Sequence, residues 1–124
     1  MSRRILIIDD EADIREVAQM SLELIAGWQV LTASSGTEGI ELASSQQPEA
    51  VLLDVMMPGL DGPQTLQLLQ ANERTHAIPV IFLTAKAQTS EQRLLRDLGA
   101  RGVIAKPFDP VTLAHQVVEL LDSP

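Results

Sequence analysis

Short, continuous apolar runs recur along the chain. Four of them occupy residues 5–8, 51–53, 78–83 and 102–105. A run of this kind is typical of a strand that is covered on both faces, as in a parallel sheet. A fifth segment, residues 28–33, mixes apolar and polar positions, which favours a strand at the edge of the sheet. The pattern therefore predicts five strands.

The segments between the predicted strands carry apolar residues at helical spacing. The five predicted helices comprise residues 13–26, residues 35–46, a segment that Gly62 and Pro63 open, residues 88–98 and residues 110–121. In the first helix one apolar stripe is expected to face the core, and it consists of Ile14, Val17, Ala18, Leu22 and Ile25. Strands that alternate with helices at this spacing predict a doubly wound α/β domain with a parallel sheet.

The size of the chain fits one compact domain. It has 124 residues, of which 45% are hydrophobic and 21% are charged. These proportions are typical of globular proteins and argue against intrinsic disorder. No linker or low-complexity segment divides the sequence, so we predict a single domain over residues 1–124.

The charge balance and the absence of cysteine exclude several classes of function. Seventeen acidic residues against 9 basic ones give a formal net charge of −8, which repels phosphate backbones and argues against nucleic-acid binding. Without cysteine, disulfides, thiolate metal sites and cysteine nucleophiles are excluded. The apolar run at residues 5–8 is too short for a signal core or a membrane span. A cytoplasmic location without membrane attachment is the default expectation.

Polar side chains follow four of the five predicted strands. Asp9 and Asp10 come directly after the first strand along the chain, Asp54 after the third, Thr84 after the fourth and Lys106 after the fifth. In an open α/β sheet the functional crevice lies at the carboxyl ends of the strands. We therefore expect these residues to form one site. Each has an ordinary explanation when taken alone, such as a helix cap for the aspartate pair, and only their joint placement favours a site.

The three carboxylates of this site favour the binding of a cation. Asp9, Asp10 and Asp54 would repel one another in one crevice, unless their pKa values rise or a metal ion lies among them. Mg²⁺ suits an all-oxygen site that includes carboxylates, waters and a phosphate oxygen, whereas the lack of nearby histidine or cysteine disfavours zinc. Mg²⁺ and the Lys106 ammonium together balance the three negative charges.

Asp54 is the candidate nucleophile, because a carboxylate at a strand end can attack phosphorus and form an acyl phosphate. The added negative charge requires new hydrogen-bond donors. The hydroxyl of Thr84, the ammonium of Lys106 and backbone N–H groups after Thr84 are the candidates, and the small Ala85 leaves room for the phosphate.

Four segments resemble the receiver domain of two-component response regulators in their order and spacing. They are residues 7–11 (Ile-Ile-Asp-Asp-Glu), residues 53–59 (Leu-Asp-Val-Met-Met-Pro-Gly), Thr84 with Ala85, and residues 106–108 (Lys-Pro-Phe). The resemblance extends over essentially the whole chain. It implies a flavodoxin-like receiver fold with five helices and strand order 2-1-3-4-5.

The resemblance also implies roles for the site residues. Asp54 would be the phosphoacceptor and a metal ligand, Asp10 a direct ligand, Asp9 a ligand mainly through water, and the main-chain carbonyl of Met56 the third protein ligand.

Thr84 and Lys106 would hold the phosphoryl oxygens, and the peptide bond from Lys106 to Pro107 would be cis. The phosphoryl donor would be a phosphohistidine of a sensor histidine kinase or a phosphotransfer protein. The domain would then be a switch that catalyses only its own phosphotransfer and dephosphorylation.

Three positions bear on how the switch would behave. Val103 stands where the family usually has tyrosine or phenylalanine, which puts the aromatic readout of phosphorylation in doubt. Met56 and Lys86 correspond to positions that tune the phosphoryl lifetime. Because an apolar Met56 cannot hydrogen-bond an attacking water, we predict slow self-hydrolysis.

The last predicted helix has an unusually wide apolar surface. One stripe contains Leu113, Val117 and Leu120, and its neighbour contains Val111, Ala114, Val118 and Leu121. We expect either a partner surface, formed by the fourth helix, fifth strand and fifth helix and used for output or homodimerisation, or ordinary exposed aliphatic residues.

Three rival functions remain open. A magnesium phosphohydrolase with an aspartyl nucleophile would normally need a carboxylate two residues after Asp54, where this chain has Met56. A flavin carrier would place its phosphate against Asp9, Asp10 and Glu11, where donors are needed. A scaffold that does not depend on phosphorylation would have no use for the acceptor set. The chain ends at Pro124 without an output segment, so it either acts through partners or is part of a longer regulator.

Overall fold

The computed structural model describes residues 3–85 and 88–122. Lys86, one of the two positions expected to tune the phosphoryl lifetime, lies outside these residues. Five parallel strands form one sheet: β1 (Arg4–Ile8), β2 (Gln29–Ala33), β3 (Ala50–Asp54), β4 (Val80–Thr84) and β5 (Gly102–Ala105). The strand order is β2-β1-β3-β4-β5. The predicted fold class and strand order are confirmed.

The burial of the strands explains why their sequences differ. Residues 5–8 of β1, 50–53 of β3 and 81–83 of β4 have no exposed surface, because helices cover both faces of the central sheet. β2 pairs only with β1 among the described strands, and its first residue, Gln29, is exposed. The mixed polarity of this segment thus marks an edge strand, as the sequence predicts.

β4 begins later than the apolar run predicts, at Val80 rather than at residue 78. Pro79 has no N–H group to donate to a neighbouring strand. Its carbonyl still accepts a 3.0 Å hydrogen bond from the Val51 N–H, so Pro79 contributes an acceptor but no donor at the start of β4.

Five helices alternate with the strands: α1 (Ala12–Leu24), α2 (Gly36–Gln46), α3 (Gly62–Ala71), α4 (Thr89–Asp97) and α5 (Leu113–Asp122). α3 begins with a capping box, in which Asp61 and Gln64 each accept a hydrogen bond from the other's backbone N–H. α5 begins three residues later than predicted, because a turn precedes it. In that turn the Thr112 N–H donates to the Asp109 carbonyl.

The core face of α1 differs from the prediction. Ala18 and Leu22 are fully buried, but Val17 and Ile25 are 41% and 55% exposed, so their predicted place in the core is wrong. The buried face includes Ser21, whose hydroxyl donates to the Pro110 carbonyl ahead of α5. A serine that is paired in this way can be buried at little cost, and hydrophobic periodicity does not reveal it.

The sheet separates two apolar cores. On one face, Leu6, Ile8, Val51, Leu53 and Phe82 pack against residues of α2, α3 and α4, such as Ala43, Leu66 and Leu95. On the other face, alternate strand residues pack against α1 and α5. Leu113 and Val117 of α5 are fully buried here, and Ala114, Leu120 and Leu121 pack at the margin. Much of the wide apolar surface of α5 therefore belongs to the core.

Along the described part of the chain, no helix has the length and apolar content needed to cross a bilayer.

Candidate functional site

Four of the predicted site residues lie at the carboxyl end of the sheet. Asp54 and Thr84 are the last residues of β3 and β4, and Asp9 and Lys106 directly follow β1 and β5. These four strands are neighbours in register, with Ile8 opposite Leu53 and Asp54 opposite Leu83. Adjacent parallel strands thus bring residues from distant parts of the sequence to one edge.

Lys106 joins the two buried carboxylates of the site. Its Nζ atom lies 2.7 Å from Asp9 Oδ2 and 3.0 Å from Asp54 Oδ1. Asp9 is fully buried and Asp54 is 4% exposed. Charge-assisted hydrogen bonds of this length are strong, and they offset part of the cost of burying the two acids. The predicted convergence of Asp9, Asp54 and Lys106 is present in the structure.

The turn after β1 fixes the position of Asp9. The Asp9 Oδ1 atom accepts a 2.9 Å hydrogen bond from the Glu11 N–H. The Asp9 carbonyl accepts a 2.7 Å hydrogen bond from Arg15 Nη1, and its N–H donates to the Ala33 carbonyl of β2. Each polar group of Asp9 therefore has a partner, which holds its carboxylate toward Asp54.

The ionisation of Asp54 is strongly perturbed. Burial, together with the negative charge of Asp9, raises the pKa of the Asp54 carboxyl to about 6, although the hydrogen bond from Lys106 opposes this shift. Burial acts to lower the pKa of the Lys106 ammonium, but the hydrogen bonds and charges of Asp9 and Asp54 outweigh it, so that pKa is raised. Perturbed groups that lie together in a crevice are typical of functional sites.

Among the described residues, Asp9, Glu11 and Asp54 form a group with ligand atoms within 4.8 Å of one another. Three carboxylates without histidine or cysteine are a donor set that fits a hard divalent cation such as Mg²⁺. Asp10 is exposed and lies outside this group, although it contributes a little to the raised pKa of Asp54. Its role as a direct ligand stays a prediction.

Glu11 was not predicted as a site residue. Its signal in the sequence is its place as the third acidic residue in a row after β1. The sequence does not indicate Arg15 either, because a side chain that hydrogen-bonds a main-chain carbonyl six residues away has no signature in the sequence.

Thr84 and Met56 differ sharply in their surroundings. Thr84 is 4% exposed, and its carbonyl accepts a 2.8 Å hydrogen bond from the Lys106 N–H. Met56 is 68% exposed in the loop after β3. A pocket of about 600 Å³ opens beside this loop, and its lining consists of Val55, Met56, Met57, Pro58, Asp61 and Pro63. The Met56 carbonyl as a metal ligand stays a prediction.

Two further expectations concern β5 and the turn after it. The peptide bond between Lys106 and Pro107 is cis, as the resemblance implies. Val103 is partly buried, lies opposite Phe82 in the sheet and packs against the core. A β-branched side chain in this position has few rotamers available for a readout of phosphorylation.

Comparisons with known proteins show which family this chain resembles. The family described as the response regulator receiver domain matches residues 5–118. The DNA-binding dual master transcriptional regulator RpaA of Synechocystis is 41% identical over 118 residues, which cover 95% of this chain and 48% of that protein. Protein PilH of Pseudomonas aeruginosa is 39% identical over 95% of this chain and 97% of its own length.

A solved structure gives the same result for the fold. The chemotaxis response regulator CheY4 of Vibrio cholerae superimposes with a TM-score of 0.89 at 26% identity, covering 97% of this chain and 99% of that chain. The chain spans about half the length of RpaA but nearly all of PilH. On the family match and these relatives, the chain belongs to the response regulator receiver domain family.

Proposed function

We propose that this receiver domain is switched by a phosphoryl group on Asp54, which it takes from a phosphohistidine of a sensor histidine kinase or phosphotransfer protein. The observation that carries the proposal is the buried Asp54 carboxylate, held at the carboxyl end of β3 by Lys106 and close to Asp9. In this reaction a carboxylate oxygen of Asp54 attacks phosphorus, and the bond from phosphorus to the donor nitrogen breaks.

The chain's own residues would prepare this step electrostatically. Asp54 must be ionised to attack, yet burial and Asp9 favour its protonated form. The Lys106 ammonium opposes this effect through its 3.0 Å hydrogen bond. Once the phosphoryl group is attached, the Lys106 ammonium would donate to a phosphoryl oxygen, and the Thr84 hydroxyl is the second proposed donor.

Mg²⁺ is the proposed cofactor, since it would neutralise the phosphoryl oxygens and orient them for in-line transfer. Asp9 and Asp54 supply buried carboxylates for it, and by family resemblance Asp10 and the Met56 carbonyl complete the protein ligands. Met56 is exposed in the loop that follows Asp54, and a phosphodonor would approach from the side of this loop.

The rival phosphohydrolase has less support in this geometry. The side chain two residues after Asp54 is the thioether of Met56, which is neither an acid nor a base. We therefore propose that the domain turns over no external substrate. Output would run through changed partner binding or dimerisation, on a face formed by α4, β5 and α5.

Intact mass after incubation with acetyl phosphate and Mg²⁺ tests the proposal. The wild type should gain one phosphoryl group that hydroxylamine removes, whereas Asp54→Asn should gain none. Asp97→Asn is the matched control. Asp97 is exposed at the end of α4, and its substitution makes the same change of charge away from the site. An unmodified wild type, or equal labelling of Asp54→Asn, would refute the assignment.

A further inference from the structure

Glu11 occupies the N-cap position of α1 without capping the helix. Its backbone is extended, with φ −87° and ψ 116°, but its side chain makes no cap hydrogen bond. N-cap residues are usually short polar residues that bind the free N–H groups of the first turn. The carboxylate of Glu11 instead lies on the side of the acceptor site, with Oε1 3.9 Å from Lys106 Nζ.

The three grouped carboxylates differ sharply in their contact with solvent. The side chains of Asp9 and Asp54 are 0% and 6% exposed, whereas that of Glu11 is 63% exposed. A ligand atom of Glu11 nevertheless lies within 4.8 Å of one from each of the other two. The site thus has two buried carboxylates and one hydrated carboxylate at its mouth.

This asymmetry matches the chemistry of a small divalent cation. Mg²⁺ loses water reluctantly and keeps several bound waters when it binds to proteins. Polarised waters on the ion need acceptors, and groups that accept from metal-bound ligands contribute substantially to affinity. A solvated carboxylate at the mouth of the site can accept from such a water without losing its own hydration.

We propose that Glu11 is a positioning residue of the metal site, whose carboxylate accepts a hydrogen bond from a water molecule bound to the ion. The ion itself would be held by the proposed ligands, which include the buried carboxylates of Asp9 and Asp54. This inference rests on the proposed function, because it assumes that Mg²⁺ binds beside Asp54. It assigns a role to a residue for which the sequence predicts none.

Titration calorimetry with Mg²⁺ on three variants tests the inference. Glu11→Ala removes the acceptor, and Glu11→Asp keeps the charge but favours helix capping, which withdraws the carboxylate from the site. We expect both substitutions to weaken Mg²⁺ binding, with a dissociation constant that rises about tenfold. Asp13→Ala, an equal loss of charge at an exposed position in the first turn of α1, should change it by less than about twofold at 0.15 M salt.

A second measurement separates this role from direct ligation. Water-proton relaxation by bound Mn²⁺ reports the number of waters on the ion, and Glu11→Ala should leave that number unchanged. A gain of one water would make Glu11 a direct ligand and overturn the inference. Wild-type Mg²⁺ affinity in Glu11→Asp would show that only the negative charge of Glu11 matters. Unchanged Mg²⁺ affinity in Glu11→Ala would show that Glu11 has no part in the metal site. Either result would overturn the inference.

Labelling by acetyl phosphate at saturating Mg²⁺ separates this inference from the proposed function. If Glu11 acts as inferred, Glu11→Ala is still phosphorylated on Asp54 once Mg²⁺ is raised about tenfold. A wild type that is labelled on Asp54, combined with unchanged affinity in Glu11→Ala, would overturn the inference alone. A wild type that binds no Mg²⁺ would overturn the inference, and an unlabelled wild type would overturn the proposed function.

Discussion

Lys106 donates a 2.7 Å hydrogen bond to Asp9 across 97 positions of sequence. This contact links the turn after β5 to the turn after β1 over the carboxyl ends of β3 and β4. The ammonium also reaches Asp54, so one cation compensates two buried acids. The two buried acids therefore depend on Lys106 for their charge balance.

Removal of the ammonium should destabilise the domain. In Lys106→Met the buried Asp9 and Asp54 face each other without a counter-charge, and breaking a buried ion pair costs about 3 kcal/mol. We expect this loss at pH 8 and a smaller loss at pH 5, where Asp54 takes up a proton. Urea unfolding without metal at both pH values measures it.

Arg96→Met is the matched control for this prediction. Arg96 is an exposed cation on α4 and its guanidinium bonds only weakly to Gln92, at 3.4 Å. Its loss should change stability by less than about 0.5 kcal/mol. Equal stability of Lys106→Met and the wild type at pH 8 would contradict the account of the site.

The raised pKa of Asp54 predicts a specific pH dependence of stability. The carboxyl titrates near 3.8 when it is unfolded and at about 6 when it is folded. Between these values the folded state binds more protons, so its free energy of unfolding falls as pH rises. The stabilisation is complete below pH 3.8 and is lost as pH rises through 6.

Asp54→Asn has no such titration. Without Mg²⁺ it should match the wild type near pH 4 and become more stable than the wild type by up to about 3 kcal/mol at pH 7.5. Chemical unfolding of both proteins across this range provides the measurement. A stability difference that does not vary with pH would show that Asp54 titrates normally.

Gly62 should be required for the geometry of Asp54. A Cβ atom at this position would lie 2.6 Å from the Asp54 carbonyl oxygen and 2.7 Å from the Val55 Cα. Both contacts are with backbone, so Gly62→Ala must displace the end of β3. We expect a loss of about 1–3 kcal/mol in stability and slower labelling by acetyl phosphate.

Gly59→Ala provides the comparison within the same loop. Gly59 has φ 74°, so alanine is strained there by about 1 kcal/mol, but its Cβ would meet no atom within 4 Å. It should lose stability while its labelling rate remains close to that of the wild type. Equal labelling rates for the two variants would argue against displacement of Asp54.

The sequence predicts the fold and the buried part of the site well, because both depend on local patterns. Continuous apolar runs mark β1, β3 and β4, and polar residues at their ends mark Asp9 and Asp54. The face of α1 was harder to predict, since burial of Ser21 depends on a carbonyl from Pro110 in a distant segment. The position of Glu11 likewise depends on the fold, because only the structure shows that its carboxylate turns from the helix end to Lys106.

The structure also sharpens the proposed output face. Leu121 of α5 packs against the core, so a charge there would disturb folding as well as association. Leu94 of α4 is 66% exposed and is the better probe. If the face formed by α4, β5 and α5 mediates dimerisation, Leu94→Glu should weaken the self-association of the phosphorylated protein by at least about tenfold, or about 1.4 kcal/mol.

Leu24→Glu makes the same change on α1, a helix that is not part of the proposed output face, at a residue that is 77% exposed. It should leave self-association unchanged, because Leu24 lies outside the proposed output face. Sedimentation velocity before and after phosphorylation compares both variants with the wild type. A phosphorylated wild type that stays monomeric, or an equal loss in Leu24→Glu, would rule out dimerisation through this face.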